Sequence, residues 1–231
     1  MVYQDLNNWL NDTPLGRYLK NQEFDFIQLN LNNEQPKTVL RVGLNVGDFR
    51  LPEKCACWWQ NHVLPADVLA EHQRTPWQMQ TFDCVVAAHT LDCVDAPELW
   101  LAEMWRIVKP NGRLILTGFN RHSWWRLGAL DISGCLSLAE SKKLMESMGW
   151  QIERGRFMNY LPPINSQMVV DKLGFLELVG NRWLPHGAAV YGLVLRKDVV
   201  GVHPLGEAEW GELDEAAVLA LAKQAYSGSL K

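Results

Sequence analysis

A glycine-bracketed turn, Gly43-Leu44-Asn45-Val46-Gly47, follows the β-branched and aliphatic run Thr38-Val39-Leu40-Arg41-Val42. Glycine at such a turn lets backbone approach a ligand with no Cβ in the way. The carboxyl end of the first strand of an alternating α/β sheet is where such folds bind nucleotide-like ligands. A nicotinamide fingerprint would need Gly-x-Gly-x-x-Gly and an acid about 20 residues later. This turn reads Gly-x-x-x-Gly and the corresponding zone holds Gln60-Asn61-His62, so hydride transfer is disfavoured. The second chemical candidate is His89, at the end of the apolar run Phe82–Ala88. An imidazole with an ordinary pKa near ~6.5 suits general-base work at neutral pH; a histidine that lines the site or caps the strand by hydrogen bonding is the alternative. Thr90 and Asn120 are substrate contacts or turn residues, and Asp92 and Asp95 read as helix-start chemistry.

Arg121-His122-Ser123-Trp124-Trp125-Arg126 joins cations to aromatics. It reads either as a substrate cover, with Arg121, Trp124 and Trp125 facing an acceptor, or as a loop packed on the sheet rim. Cys55 and Cys57 alternate on a presumed strand and face one side, but neither His62 nor Cys84 completes a recognisable ligand spacing. Buried structural cysteines are the better reading, and no metal is expected.

The elements that must position these residues follow from local patterns. Thr13-Pro14 reads as N-cap and first helical residue, ahead of Leu15, Tyr18, Leu19 and Phe26 at helical spacing, so a leading helix spans about 14–30. Strands are expected at 38–43, 55–59, 67–70, 82–88 and 113–119, then at 151–158 and 188–195. Asp95-Ala96-Pro97-Glu98 and Ser137-Leu138-Ala139-Glu140 read as capping boxes that open helices, and Lys109-Pro110-Asn111-Gly112 and Gly149 stop them. A further helix is expected over Ser166 to Val179. Strand and helix in alternation imply a parallel sheet with helices on both faces.

With 231 residues, the chain has the length of one large domain or one domain with an appendage. Hydrophobic residues at 48% and charged residues at 21% exclude a disordered chain, a collagen-like fibre and a coiled-coil rod. Lys and Arg total 22 against 26 Asp and Glu, a net charge of −4 that offers no general field for nucleic acid or an anionic membrane. No run approaches the about 18 apolar residues of a membrane span. Met1 to Asp5 is neither basic nor followed by an apolar stretch, which argues against a signal peptide. Five cysteines without a Cys-x-x-Cys pair read as reduced, in a cytoplasmic protein. The 11 tryptophans imply that some sit at a ligand or partner surface, because indole joins an apolar face to one N–H.

From about residue 38 to 150 the chain resembles the class I S-adenosylmethionine-dependent methyltransferases. Their first motif, Val-Leu-Asp-x-Gly-x-Gly-x-Gly, lies over Val39–Gly47, with Asn45 in place of the middle glycine and Arg41 in place of the acid. Val68-Leu69-Ala70-Glu71-His72, Thr75-Pro76-Trp77 and Thr81-Phe82-Asp83-Cys84-Val85 follow the family's third and fourth strands. Glu103–Gly112 follows its Glu-x-x-Arg helix and turn. A bacterial subgroup with an eroded glycine motif is more similar still, through Thr13–Arg17, Gly118-Phe119-Asn120 and the run from Trp183 to Tyr191.

The resemblance implies a Rossmann-like, seven-stranded, mostly parallel sheet with the last strand antiparallel. It implies one domain over 1–202, with a cofactor half at about 36–120 and a substrate half at 121–202, and a C-terminal extension over 203–231. It further implies S-adenosylmethionine as cofactor and an unidentified small-molecule acceptor. The donor's amino-acid end would lie at Gly43, Asn45 and Gly47, its ribose at Gln60 or Asn61, and its adenine at Glu71 with the His72 amide. His89 would line the same site, and Asn120 would lie on the acceptor side. The departures at Arg41, Asn45 and the ribose acid motivate the alternative, a fold that binds or scaffolds without catalysing. Leu161-Pro162-Pro163-Ile164 does not replace an Asn-Pro-Pro-Tyr-like base-handling motif, so nucleic acid is not an expected substrate. The extension, with Leu213, Ala217, Leu221 and Ala225 at loose helical spacing, reads as a docked or frayed appendage, with the docking of a protein partner as the alternative.

Overall fold

The computed structural model describes residues 3–198 apart from 64, 129, 175, 178–179 and 181–186. The extension over 203–231 and Trp183 therefore lie outside the described residues. Two helices come first, α1 (Tyr3–Asp12) and α2 (Pro14–Glu34), followed by the strands β1 (Thr38–Gly43), β2 (Ala56–Asn61), β3 (Val68–Leu69) and β4 (Phe82–Ala88). Helices α3 (Thr90–Cys93) and α4 (Pro97–Ile107) lead to β5 (Val108–Phe119). A 3-10 turn at Trp124–Leu127, α5 (Leu138–Ser147), β6 (Trp150–Met158), α6 (Gln167–Leu173) and β7 (Val190–Lys197) complete the order.

The strands form one seven-stranded sheet in the order β3-β2-β1-β4-β5-β7-β6. Neighbours from β3 to β5 are parallel, and β7 runs antiparallel to both β5 and β6. The two-residue period of a strand assigns the side chains to two cores. Val39, Cys84, Val86, Ile115 and Val194 face Leu6, Leu10, Leu19, Phe26 and Ile27 of α1 and α2. Leu40, Val85, Leu114 and Leu195 face Trp100, Leu101 and Met104 of α4 and Met145 of α5.

Several boundaries have direct physical causes. Thr13 adopts the extended conformation of an N-cap and its hydroxyl accepts the Gly16 N–H at 2.9 Å. Ser137 and Glu140 form a reciprocal capping box at α5, and Gly149 follows that helix at φ +88, where a side chain would be strained.

Other expectations need correction. Helix α1 is present in a stretch rich in asparagine, a poor helix former; it forms because Tyr3, Leu6 and Leu10 are buried. Helix α2 runs on to Glu34, and Gln35 ends it in the left-handed region at φ 46. Asp95 does not cap α4: the cap is Ala96, without a side-chain bond, and Pro97 at the first position starts the helix. The helix-stop Lys109–Gly112 lies within β5, where the pairing with β4 shifts register between Phe82 and Cys84. Helix–strand alternation fails in the first half, since residues 44–55 and 70–81 join their strands without a helix. With no crossover helix there, α1 and α2 supply the apolar cover on the β1 side of the sheet. Among the described residues no helix is long and apolar enough to cross a membrane.

Candidate active site at the carboxyl edge of β1 and β4

Strand order reverses between β1 and β4, so the crevice beyond their carboxyl ends is where an open α/β sheet binds its ligand. Gly43 ends β1 at φ +80, and a Cβ there would meet Thr90 Oγ1 at 2.3 Å and the Ala88 carbonyl at 2.5 Å. Only glycine fits this crowding and this backbone conformation. The Gly43 carbonyl accepts the Tyr3 hydroxyl at 3.1 Å and the Trp59 indole N–H at 3.3 Å. Tyr3 in turn accepts a short hydrogen bond from the Asn61 amide. Burial pushes the Tyr3 hydroxyl above its ordinary range, which keeps it a donor.

The turn itself is stapled from inside. Arg41 donates to Asn45 Oδ1 at 2.6 Å and to the Gly47 carbonyl at 2.8 Å, and the Gly47 N–H reaches Asn45 Oδ1 at 3.0 Å. The Arg41 guanidinium also lies over the rings of Phe49 and Trp59, 5.1 and 5.5 Å from their centroids. Its charge is thus directed along the turn, and a cleft of about 270 Å³ lined by Arg41, Asp48, Phe49, Trp59 and Asp67 opens beside it.

The residues after β2 and β3 form a second cluster. His62 Nδ1 lies 3.0 Å from His72 Nε2, and the His62 ring meets Tyr3 edge-on at 4.9 Å. Burial first, and the neighbouring His62 second, push His72 down to about 4, so it is neutral at physiological pH. Glu71 beside it is exposed. Gln60 is buried on the opposite, α4 side of the sheet, where its Oε1 accepts the Trp77 indole N–H at 2.6 Å. The segment after Glu71 and His72 is clamped to α4. Glu103 accepts the Thr75 N–H at 2.9 Å, and Arg106 donates to the Trp77 carbonyl at 2.8 Å. The Arg106 hydrogen bond outweighs burial and brings the Glu103 carboxyl down to about 2.

His89 follows β4 in the left-handed conformation, φ 53, and starts α3. Its Nδ1 lies 2.7 Å from Asp92 Oδ2, and its Nε2 forms a close ion pair with Glu23 of α2 at 2.8 Å. Asp92 Oδ2 also accepts the Phe119 N–H at the end of β5. All of these side chains are buried. Burial alone would lower the histidine; Glu23 first and Asp92 next overcome it and raise His89 to about 10. An imidazole held between two carboxylates is an imidazolium at neutral pH, with no lone pair to accept a proton. Glu23 Oε2, Thr90 Oγ1, Asp92 Oδ1 and Thr117 Oγ1 are buried here without a hydrogen-bond partner among the described residues. Buried polar groups left unpaired are costly, so each of these atoms calls for an explanation.

On the acceptor side, Asn120 is buried and donates to the Ala188 carbonyl at 3.2 Å. Trp125 is also buried, its indole N–H bonded to the Leu161 carbonyl at 2.8 Å. Trp124 is exposed, and Arg121 pairs with Glu140 of α5 at 2.7 Å. The loop therefore divides, with Trp125 packed into the rim and Trp124 and Arg121 left at the surface. Among the described residues no group of three or more His, Cys, Asp or Glu is arranged to hold a metal.

Residues 51–116 match the family model described as a methyltransferase domain. The chain has the fold of the class I methyltransferases. A search of curated proteins finds no matching relative. Among solved structures, an S-adenosylmethionine-dependent methyltransferase from Thermotoga maritima superposes with a TM-score of 0.58 at 16% identity, covering 84% of this chain and 96% of that one. The Burkholderia thailandensis 1,6-didemethyltoxoflavin N1-methyltransferase, solved with 1,6-didemethyltoxoflavin and S-adenosylhomocysteine, gives 0.56 at 13%, covering 85% and 84%. The [4+2]-cyclase SpnF gives 0.53 at 14%, covering 76% and 80%. At such identities the likeness is one of fold, and a cyclase among the neighbours shows that this fold alone does not fix a reaction.

S-adenosylmethionine is the cofactor that the resemblance implies, and the edge can be tested for it residue by residue. As arranged, it does not fit. The Gly43 carbonyl, Asn61 and Asn45 are satisfied within the chain, and both His89 nitrogens face carboxylates. A Cβ at Gly47 would lie 2.7 Å from the Phe24 ring, so α2 already fills the open side of the turn. Only Glu71, of the residues assigned to the donor, stands exposed. Tyr3 and Glu23, which do much of this filling, were not singled out in the sequence. Glu23 left a signal there: it interrupts the series Leu15, Leu19, Ile27, Leu31 at four-residue spacing, a charge in the middle of a buried stripe.

Proposed function

We propose that the protein is an S-adenosylmethionine-dependent methyltransferase acting on a small-molecule acceptor. The observation that carries the reading is the methyltransferase-domain match over 51–116 on a chain that leaves Glu23 Oε2, Thr90 Oγ1 and Thr117 Oγ1 buried and unpaired beside the switch point between β1 and β4. The donor site is assigned to Gly43, Asn45, Gly47, Glu71, His72 and His89, and the acceptor side to Asn120, Arg121 and Trp124; Gln60, turned to the α4 side of the sheet, and Trp125, packed into the rim, are left out of it. The contacts that Tyr3, Phe24 and Glu23 make there must give way before a donor reaches these atoms. In its imidazolium form His89 orients charge at the site; removal of a proton from an acceptor requires that it first lose one carboxylate partner.

The test is isothermal titration of the dialysed protein with S-adenosylmethionine and with S-adenosylhomocysteine, repeated on Glu71→Ala. Saturable one-to-one heat that the variant loses supports the site; absence of heat at high ligand concentration with folded protein refutes it. The intrachain contacts that fill the site favour a second reading, a methyltransferase-like fold that serves as a binding module, and the second outcome is the one that reading requires.

A further inference from the structure

The amino edge of the sheet, opposite the candidate active site, holds a second cleft. It has a volume of about 400 Å³ and lies where β1 and β4 begin, beside the turn within β5. Glu34, Lys37, Asp83, Lys109, Asn111 and Arg113 line it. Its walls are stiff: Pro36 stands ahead of β1 and Pro110 in the β5 turn, each with φ fixed by its ring. Asp83 ties the three strands together. Its Oδ2 accepts the Lys37 and Thr38 N–H groups at 3.0 and 2.9 Å, and its Oδ1 accepts from the Lys109 ammonium at 2.7 Å.

The charged groups of this lining differ in what they have left to offer. Both acids are spent inside the chain, Asp83 as above and Glu34 on Arg113 and Arg154. The Arg113 fork is engaged as well, with Glu34, Glu153 and the Asn111 carbonyl. Gln35 covers the end of α2, its N–H on the Leu31 carbonyl and its side-chain amide on that of Asn32. Lys37, by contrast, has no ion-pair partner among the described residues. An ammonium has three N–H groups, and that of Lys109 keeps one beyond those facing Asp83 Oδ1 and Thr38 Oγ1. Three cations against two acids leave the lining positive on a chain whose net charge is −4. A cleft focuses such a field toward an anion.

We infer that this cleft binds a small phosphorylated molecule, its phosphate held by Lys37, Lys109 and the Asn111 side-chain amide. A planar carboxylate is matched by an arginine fork, and the fork here is already taken. Two ammonium point charges and an amide suit the three oxygens of a tetrahedral phosphate instead. At about 30 Å³ for each water-sized group, the cleft holds roughly a dozen of them, which leaves room for a polar body the size of a sugar beside the phosphate. The site is independent of the donor-site reading, because it lies at the other edge of the sheet and requires no cofactor.

The experiment titrates the full chain, followed by amide NMR at constant ionic strength in a phosphate-free buffer, with ribose 5-phosphate, inorganic phosphate, ribose and acetate as probes. Two variants accompany it. Lys37→Ala removes the ammonium and keeps the Asp83 contact, which uses the Lys37 backbone N–H. Asn111→Gly removes the amide and suits the left-handed backbone, φ 60, that Asn111 adopts. The expected result is saturable one-to-one shifts of residues 35–38 and 109–113 with ribose 5-phosphate and none with ribose. Affinity should fall about tenfold in Lys37→Ala and about threefold in Asn111→Gly. Shifts that do not saturate for either phosphate, or Lys37→Ala binding as the parent protein does, overturn the site. Acetate bound as tightly as inorganic phosphate overturns the assignment to phosphate, and inorganic phosphate bound with ribose 5-phosphate excluded overturns the larger ligand.

Discussion

Glu23 Oε1 lies 2.8 Å from His89 Nε2, and the two side chains, each fully buried, join α2 to the end of β4. With Asp92 on the other ring nitrogen, the site holds a cation between two acids inside the protein. Breaking such a buried arrangement by removing one partner costs about 3–5 kcal/mol, because the remaining charges lose their compensation.

The first prediction is a pH dependence with a defined sign. His89 is raised in the folded state to about 10 from an unfolded value of 6.5. The folded protein therefore binds more protons between those values, and the stabilisation is fully present below the unfolded value and lost as pH rises through about 10. Urea unfolding is expected to show falling stability between pH 7 and 10. In Glu23→Gln the largest raising influence is removed, so the His89 titration seen by nitrogen NMR moves to lower pH and the slope flattens. A His89 signal that titrates near its ordinary value in the parent protein contradicts the buried ion pair.

His72 predicts the opposite edge of the stability profile. Burial, with His62 adding to it, lowers His72 to about 4 in the folded state. Between about 4 and 6.5 the unfolded chain binds the extra proton, so the contribution of neutral His72 is present above the unfolded value and lost as pH falls. His72→Gln is expected to reduce the loss of stability between pH 7 and 5 measured by urea unfolding. An unaltered profile would place the acid sensitivity elsewhere.

Arg41 is expected to stabilise the glycine turn rather than obstruct it. Its guanidinium spans Asn45 Oδ1 and the Gly47 carbonyl and lies over two aromatic rings. Lysine offers neither the planar fork nor the same stacking, so Arg41→Lys should cost about 1–2 kcal/mol. Hydrogen exchange should quicken at residues 43–49. The Asp48 contact at 3.8 Å contributes little, since that carboxylate is almost fully solvated, and Asp48→Asn should leave stability within about 0.5 kcal/mol.

How far the sequence carried the structure differs between its halves. The strand of Phe82–Ala88, the caps at Thr13 and Ser137 and the stop at Gly149 were legible because each depends on a local pattern. The antiparallel β7 came from family resemblance, since no local pattern in Val190–Lys197 states a direction, and the strand order is known from the structure alone. Helix α1 was not legible: Asn7, Asn8 and Asn11 disfavour a helix, and its burial depends on surfaces distant in sequence. The glycine turn and His89 were identified as chemical candidates from type and position. What holds them was not, because Tyr3 lies 40 residues before Gly43 and Glu23 reaches His89 from a separate helix. Asp92, read as helix-start chemistry, serves the histidine instead. Long-range pairing of this kind is a property of the folded chain and leaves at most a charge in an apolar stripe.

The contact between α2 and the glycine turn supplies the last prediction. Gly47 has φ +144, and a Cβ there would lie 2.7 Å from Phe24 Cδ2 and 3.1 Å from Cε2. Phe24 cannot swing freely, since it stacks on Phe49 with centroids 5.4 Å apart and planes at 11°. Gly47→Ala therefore carries a backbone cost and a packing cost, together about 2–4 kcal/mol. Phe24→Leu relieves only the second, so in a double-mutant cycle by urea unfolding the pair should be coupled by about 1 kcal/mol, with the double variant still less stable than Phe24→Leu alone. Additivity within about 0.3 kcal/mol would mean that Phe24 does not press on the turn. Coupling of the expected sign would place α2 against the residue whose missing side chain gives the Phe24 ring its room.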